Sequence, residues 1–121
     1  MSGHVITGLM LVFSCVMTAT PASAQISHQF SGIASYYDKD YAGRTAGGEQ
    51  YDGTKFTAAH RTLPFGTRLR VTDRKTRRSV TVIVNDRGPF IKGRVLDLSY
   101  AAAQALRMSA RGLIEVTVLV E

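Results

Sequence analysis

The chain has 121 residues and a formal net charge of +6, from 15 Lys and Arg against 9 Asp and Glu. This length allows one domain at most. With 45% apolar and only 20% charged residues, the composition excludes a disordered tail and fits a globular fold with a small core.

The N-terminal segment 1–24 has the features of an export signal. No Asp, Glu, Lys or Arg precedes Asp38, and segment 5–17 is an apolar run broken only by small or hydroxylated residues. Ala22-Ser23-Ala24 supplies the small-x-small pattern that signal peptidase accepts. The run is too short for a membrane-spanning helix, which needs about 20 residues. We therefore predict a signal peptide over 1–24 and export of 25–121 to the periplasm or cell envelope.

The single cysteine, Cys15, lies inside this signal, so the mature chain must fold without disulfides. Val12-Phe13-Ser14-Cys15 is weakly similar to a lipoprotein cleavage box, but Phe13 is bulky for that site. We expect a soluble exported form, with neither a lipid anchor on Cys15 nor stable membrane insertion after signal cleavage.

The mature chain is predicted to be mainly β. Alternating apolar residues predict strands around 80–84 and 114–120, and segment 67–85 reads as a hairpin with a charged turn. Two more strands are predicted over 30–37 and 93–98. Ser99 is placed to cap one short helix that starts at Tyr100. Five or six short strands favour a closed barrel, because closure removes exposed edges.

Segment 38–66 is rich in glycine and has little periodicity, which predicts a long functional loop. Glu49 lies in this loop and is a candidate for catalysis, the alternative being a solvated carboxylate. His60 could donate to a carboxylate or a sugar hydroxyl, or could be structural.

Two aspartates follow or end predicted strands. Asp86 keeps the alternation of Val80, Val82 and Val84, which would place a general acid at the end of an apolar row. The alternative is that Asp86 binds the backbone amides of the turn that follows it. Asp97 competes for the catalytic role and is equally suited to cap the helix at Tyr100.

Other chemistries find little support. Two mature histidines without cysteine or clustered carboxylates do not make a zinc site, and no serine or glycine pattern matches a nucleophile elbow or a phosphate-binding loop. Six basic residues crowd the predicted hairpin within eleven positions: Arg68, Arg70, Arg74, Lys75, Arg77 and Arg78. In an exported protein they indicate an anionic envelope polymer or a solvated face rather than nucleic acid.

The order of five motifs is more specific than any one of them. They are Gly32-Ile-Ala-Ser-Tyr-Tyr37, Gly43-Arg-Thr-Ala-Gly-Gly-Glu-Gln-Tyr-Asp52, Thr57-Ala-Ala-His-Arg-Thr-Leu-Pro-Phe-Gly66, Val84-Asn-Asp-Arg-Gly-Pro-Phe90 and Arg94-Val-Leu-Asp-Leu-Ser99. Over 30–121 the chain resembles the RlpA-like (rare lipoprotein A) family. This resemblance implies a six-stranded double-psi β-barrel with one short helix near the C-terminus.

The resemblance also implies an endolytic peptidoglycan lytic transglycosylase acting on naked glycan strands that lack stem peptides. Such an enzyme cleaves the β-1,4 bond between N-acetylmuramic acid (MurNAc) and N-acetylglucosamine (GlcNAc). The muramic C6 hydroxyl attacks its own C1 and leaves a 1,6-anhydro ring, so one carboxyl can serve as acid and then as base. We expect no metal and no cofactor, peptidoglycan strands as the partner, and a monomer.

Carried over by position, the resemblance makes Asp86 the acid/base residue, assisted by Glu49 and His60. Asp97 stays a candidate because related double-psi barrels depend on an aspartate there. The side chains predicted to bind substrate are Tyr37, Tyr51, Arg87 and Arg44.

Two departures from the family pattern affect these expectations. The chain is one residue shorter between Arg44 and Thr45, which would shift the Glu49 loop. It ends at Glu121 without the SPOR domain of many members, so septal targeting is not expected. The alternative function is a non-catalytic, expansin- or barwin-like module that binds cell-wall glycan through the same cleft and the basic hairpin.

Overall fold

The computed structural model describes residues 28–121, so the predicted signal peptide and Cys15 lie outside the described residues. This part of the chain forms β1 (Gln29–Tyr36), β2 (Thr57–Ala59), β3 (Arg68–Asp73), β4 (Ser79–Asp86), β5 (Arg94–Leu98), α1 (Tyr100–Ala105) and β6 (Ile114–Val120). None of its helices is long and apolar enough to span a bilayer.

The strands close into a barrel in the order β1-β5-β2-β4-β3-β6. Two neighbouring pairs are parallel, β1 with β5 and β2 with β4. The other four pairs are antiparallel. The structure therefore confirms the predicted fold class, a mainly β, closed six-stranded barrel with one short helix.

Alternate residues of the strands fill the barrel. Leu69 and Val71 of β3 and Val82 and Val84 of β4 are fully buried. They belong to one apolar cluster with residues of β1, β2, β5 and β6 and of the α1 region. The period-two pattern found in the sequence is thus the pattern of the core.

The sequence predicts no strand in 38–66, yet β2 lies there. Thr57, Ala58 and Ala59 show no polar–apolar alternation, and alanine has a low intrinsic preference for strands. Their extended conformation is fixed by neighbours on both sides, since β2 pairs with β4 and with β5. The strand therefore depends on tertiary pairing, which no local pattern reveals.

Helix α1 begins as the sequence predicts. Ser99 is its N-cap, and the Ser99 hydroxyl accepts the Ala102 amide at 3.2 Å. The Ser99 hydroxyl also accepts the Thr57 amide at 3.2 Å, which ties the helix start to β2. The capping alternative for Asp97 is therefore not realised, because Ser99 fills that position.

Asp73 organises the turn between β3 and β4. Its carboxylate, 1% exposed, is paired with Arg111 and accepts the amides of Lys75 at 2.9 Å and Thr76 at 3.4 Å. Burial alone would raise the pKa of Asp73, but these hydrogen bonds outweigh it and lower the pKa to about 2.

We expect Asp73→Asn to lower the free energy of unfolding by about 2 kcal/mol at neutral pH, because it removes a charge-assisted hydrogen bond from Arg111. Because the pKa of Asp73 is lower in the folded protein, its ionised carboxylate stabilises the fold fully above about pH 4. This stabilisation is lost as the pH falls through about 2. Urea unfolding should therefore separate variant and wild type at pH 7 and bring them together near pH 2.

The control for this experiment is Asp40→Asn, which changes an exposed aspartate. It should leave the unfolding midpoint almost unchanged at both pH values. If the wild type and Asp73→Asn differ as much at pH 2 as at pH 7, the stabilisation does not come from the Asp73 charge.

Candidate active site

Asp86 ends β4 at a β-bulge. Ala58 of β2 pairs with Val84, but the next residue, Ala59, pairs with Asp86, so that Asn85 is an extra residue in the ladder. An extra residue reverses the side-chain alternation that follows it. The sequence-based expectation that Asp86 continues the interior row of Val82 and Val84 is therefore wrong: the bulge turns its side chain toward the preceding loop.

Three donors meet the half-buried carboxylate of Asp86. Its Oδ1 accepts the amide of Ala46 at 2.8 Å and that of Arg87 at 2.9 Å. Its Oδ2 accepts the hydroxyl of Tyr37. The two carboxylate oxygens thus have different surroundings, one held by the backbone and one by a side chain.

Tyr37 follows β1 and packs within a cluster of tyrosines. Its ring stacks on that of Tyr51, with centroids 4.6 Å apart, and meets the edge of Tyr41 at 5.1 Å. Burial, the hydrogen bond to Asp86 and the negative charges of Asp86 and Asp97 raise the pKa of the Tyr37 hydroxyl far above its usual range. Tyr37 is therefore a protonated hydroxyl at physiological pH.

Tyr51 lies beneath Tyr37. Its side chain is 7% exposed, and its hydroxyl accepts the amide of Tyr100 at 3.0 Å. Of the two tyrosines predicted to bind substrate, Tyr51 has almost no surface to offer a sugar and instead supports the ring of Tyr37 from below.

Glu49 and Arg44 lie on a short hairpin, residues 44–50. Arg44 forms an antiparallel bridge with Gln50, and the Thr45 amide donates to the Glu49 carbonyl at 2.8 Å. The Arg44 guanidinium closes the turn by donating to the Gly48 carbonyl at 2.7 Å. The side chain of Glu49 is exposed. Because the Ala46 amide of this hairpin binds Asp86, the two predicted carboxylates belong to one site.

Asp97 lies on β5, two strands away from Asp86. Ala59 of β2 is paired with both aspartates, with Asp86 on one side and Asp97 on the other. Two strand spacings of ~4.8 Å separate their Cα atoms by about 10 Å. The Asp97 carboxylate accepts the hydroxyl of Ser35 on β1. Asp86, Ala59, Asp97 and Ser35 therefore form one row across four neighbouring strands.

His60 is directed to its own loop. Its Nδ1 accepts the amides of Thr62 at 3.1 Å and Leu63 at 3.0 Å, and its ring packs against Phe30. Burial, followed by the positive charges of Arg87 and Arg61, lowers the pKa of His60. The imidazole is thus neutral with its proton on Nε2, and the hydrogen bonds of its ring shape the loop that follows β2.

Arg87 also holds this loop. Its guanidinium donates to the carbonyls of His60 at 3.2 Å and Leu63 at 2.8 Å and lies 4.0 Å from the centroid of the Phe65 ring. Arg87 is predicted to bind substrate, but one nitrogen of its guanidinium, Nη1, donates to these two backbone carbonyls. The structure therefore places Asp86, Tyr37, Glu49 and Asp97 in one site. His60 and Arg87 lie beside it, where both hold the loop that follows β2.

Sequence reasoning missed three contributors to the site. The Ala46 amide and the Ser35 hydroxyl donate to the two aspartates, and Arg61 donates to the carbonyls of Pro89, Ile91 and Arg94 within 3.0 Å. Arg61 thereby fixes the loop after Asp86, on which Phe90 is 77% exposed. Of these contributors, the Ser35 hydroxyl, two positions before Tyr37, could have been found from the sequence. A donating backbone amide cannot be recognised from a sequence, because every residue except proline has one.

Within residues 28–121, no three His, Asp or Glu side chains come together as ligands for a metal ion. The groups that the described residues bring to the site are the carboxylates of Asp86, Asp97 and Glu49 and the hydroxyl of Tyr37.

A family model described as lytic transglycolase matches residues 29–118. The chain is 50% identical over 99 residues to a Nostoc sp. protein named "Probable endolytic peptidoglycan transglycosylase RlpA", covering 79% of this chain and 27% of that protein. It is 48% identical over 83 residues to "Endolytic peptidoglycan transglycosylase RlpA" of Pasteurella multocida, covering 68% and 28%. The chain thus spans less than a third of the length of either relative.

Among solved structures, "Streptomyces papain inhibitor (SPI)" superposes with a TM-score of 0.63. The match covers 77% of this chain and 94% of the inhibitor, at 24% sequence identity. At this identity the likeness concerns the fold alone, and it confirms the expected double-psi β-barrel.

The charge of Asp86 is one cause of the raised pKa of Tyr37, so Asp86→Asn should lower that pKa toward its ordinary value of about 10. The fall should be partial, because burial remains. The measurement is an NMR titration of the tyrosine ring carbons, with Tyr37 assigned from the spectrum of Tyr37→Phe.

Asp52→Asn is the matched control, because the charge of Asp52 acts on Tyr51. That variant should leave the pKa of Tyr37 unchanged. A Tyr37 resonance that titrates identically in wild type and Asp86→Asn would show that the hydroxyl does not interact with Asp86.

Proposed function

The chain belongs to the RlpA-like lytic transglycolase family of double-psi β-barrels, and from this membership we propose that it cleaves the glycan strands of peptidoglycan. The observation that carries the proposal is the half-buried Asp86 carboxylate, held at the end of β4 by Tyr37 and two backbone amides. Because peptidoglycan lies outside the cytoplasm, we also propose that residues 1–24 direct export to the periplasm or cell envelope.

In the proposed reaction, Asp86 acts on the β-1,4 bond between MurNAc and GlcNAc, first as acid and then as base. Its proton passes to the glycosidic oxygen as the bond from that oxygen to C1 of MurNAc breaks. The C6 hydroxyl of the same MurNAc bonds to C1 and returns a proton to Asp86. The products are a 1,6-anhydroMurNAc end and a GlcNAc with a new hydroxyl, and no water is consumed.

We assign both proton transfers to Oδ2 of Asp86. Oδ1 accepts two backbone amides, which occupy its lone pairs. Oδ2 accepts the Tyr37 hydroxyl on one lone pair, which leaves its other lone pair for the proton that is exchanged with the sugar. Because its raised pKa keeps Tyr37 protonated, that hydroxyl can support both states of Asp86 without ionising.

The remaining residues receive roles that follow from their surroundings. Glu49 and Arg44 are proposed to contact the sugar from the hairpin 44–50, where both are exposed. Asp97 is proposed to stabilise the positive charge that develops at C1, as a second carboxylate does in glycoside hydrolysis. His60 and Arg87 act as positioning residues, because they hold the loop next to Asp86.

The substrate class proposed from the family is glycan without stem peptides. The Asp86 carboxylate is only half-buried, and the residues of the adjacent hairpin are largely exposed. Such an open site suits internal cleavage along a strand, which requires access from the side of the polymer rather than from its end.

Asp86→Asn should reduce the release of 1,6-anhydromuramyl products from denuded glycan strands by at least about 100-fold, the usual scale of general acid–base catalysis. The amide keeps the shape of the side chain but cannot carry the proton. Mass spectrometry of the digest identifies the anhydro ends, and circular dichroism checks that the barrel is intact.

Asp40→Asn is the control and should retain wild-type product formation, whereas Asp97→Asn tests the competing aspartate. Anhydro products from Asp86→Asn together with their loss in Asp97→Asn would move the acid/base role to Asp97. Wild-type protein that binds the strands without creating chain ends would favour the non-catalytic glycan-binding module.

A further inference from the structure

A basic groove lies at the other end of β4 from Asp86. It has a volume of about 640 Å³, and its lining includes four cationic side chains, Arg74, Lys75, Arg77 and Arg111. The turn that carries the first three precedes Ser79, whereas Asp86 ends the same strand. Seven steps of ~3.3 Å place the two ends about 23 Å apart. The basic turn therefore lies far from Asp86, whereas the groove residue Ile114 pairs with Ala34, the neighbour of Ser35.

The groove is built on an ordered turn. The buried carboxylate of Asp73 accepts the amides of Lys75 and Thr76 and pairs with Arg111. The Arg77 amide donates to the Asp73 carbonyl at 2.8 Å, and Arg77 itself has a φ of +70°. Asp73 thus fixes the backbone from which the cationic side chains project, so little ordering is needed when a ligand binds.

The lining is cationic on balance. Four basic side chains face two acidic ones, and one of the two, Asp73, is buried beneath Arg111. Guanidinium groups form paired hydrogen bonds with carboxylates. Leu113, 47% exposed, adds apolar surface at the same place, which suits the face of a sugar ring.

We propose that this groove binds carboxylate groups on cell-wall glycan, as a second contact for the strand that the active site cleaves. The inference rests on the proposed function for its choice of polymer. Removal of a stem peptide frees the lactyl carboxylate of MurNAc, so a denuded strand is a regularly charged polyanion. Contacts with the cationic side chains of the turn, about 23 Å from Asp86, hold such a polymer without competing for the bond that is cleaved.

The test compares two triple variants with equal loss of charge, both made in the Asp86→Asn background so that strands are not consumed. The first is Arg74→Gln with Lys75→Gln and Arg77→Gln, which removes groove charges. The second is Lys39→Gln with Lys55→Gln and Lys92→Gln, exposed lysines outside the groove lining. Binding to denuded glycan strands is measured by sedimentation at low and high salt.

The groove variant should bind denuded strands about tenfold more weakly than its parent at low salt, and the difference should shrink at high salt as the charges are screened. The lysine variant should bind within about twofold of the parent, since exposed charges away from a contact contribute little. Strands whose lactyl carboxylates have been converted to methylamides should bind the parent as weakly as denuded strands bind the groove variant.

Equal weakening by both triple variants would overturn the proposal, because net charge alone would then explain binding. Undiminished binding of the amidated strands, or tighter binding to a glycerol phosphate polymer than to denuded glycan, would overturn the assignment to carboxylates. Failure of the proposed function is read separately: with Asp86 restored, the groove variant should release anhydro products from short soluble fragments at the wild-type rate.

Discussion

The pairing of β2 with β4 on one side and β5 on the other holds the barrel closed and positions the site. This strand of three residues closes the barrel and, through Ala59, aligns Asp86 with Asp97. The bulge at Asn85 then turns the Asp86 side chain toward the hairpin 44–50. Without β2, the strands β4 and β5 would be the two edges of an open sheet, and the two carboxylates would not share a row.

Backbone polar groups hold the loops around this row. The Gly47 amide donates to the Asn85 carbonyl at 3.1 Å, and a Cβ at Gly47 would come within 2.9 Å of that oxygen. Glycine therefore permits the close approach that sets the Ala46 amide against Asp86. On the other side, Arg61 and Arg87 donate to backbone carbonyls of the loops that follow β2 and β4. These contacts between protein groups preorganise the site before any substrate binds.

The two ends of β4 have different proposed functions. At its C-terminal end a carboxylate meets a hydroxyl that stays protonated, which suits proton transfer to and from a sugar oxygen. In the turn before its N-terminal end, Asp73 of β3 pairs with Arg111 and accepts the turn amides, so it stabilises the fold and positions the cationic side chains. Two aspartates of one hairpin thus serve different purposes because different donors surround them.

The core pattern of the barrel, the hairpin and the Ser99 cap are readable from the residues alone, and the ordered motifs indicate the family and make Asp86 a candidate. Three features follow only from contacts within the folded barrel. Ala58 and Ala59 form a strand, a bulge reverses the direction of the Asp86 side chain, and His60 and Arg87 bind backbone groups. Alternation and capping act between residues a few positions apart, so they are readable locally. The contact between Tyr37 and Asp86 joins residues 49 positions apart, and only the closed barrel brings them together.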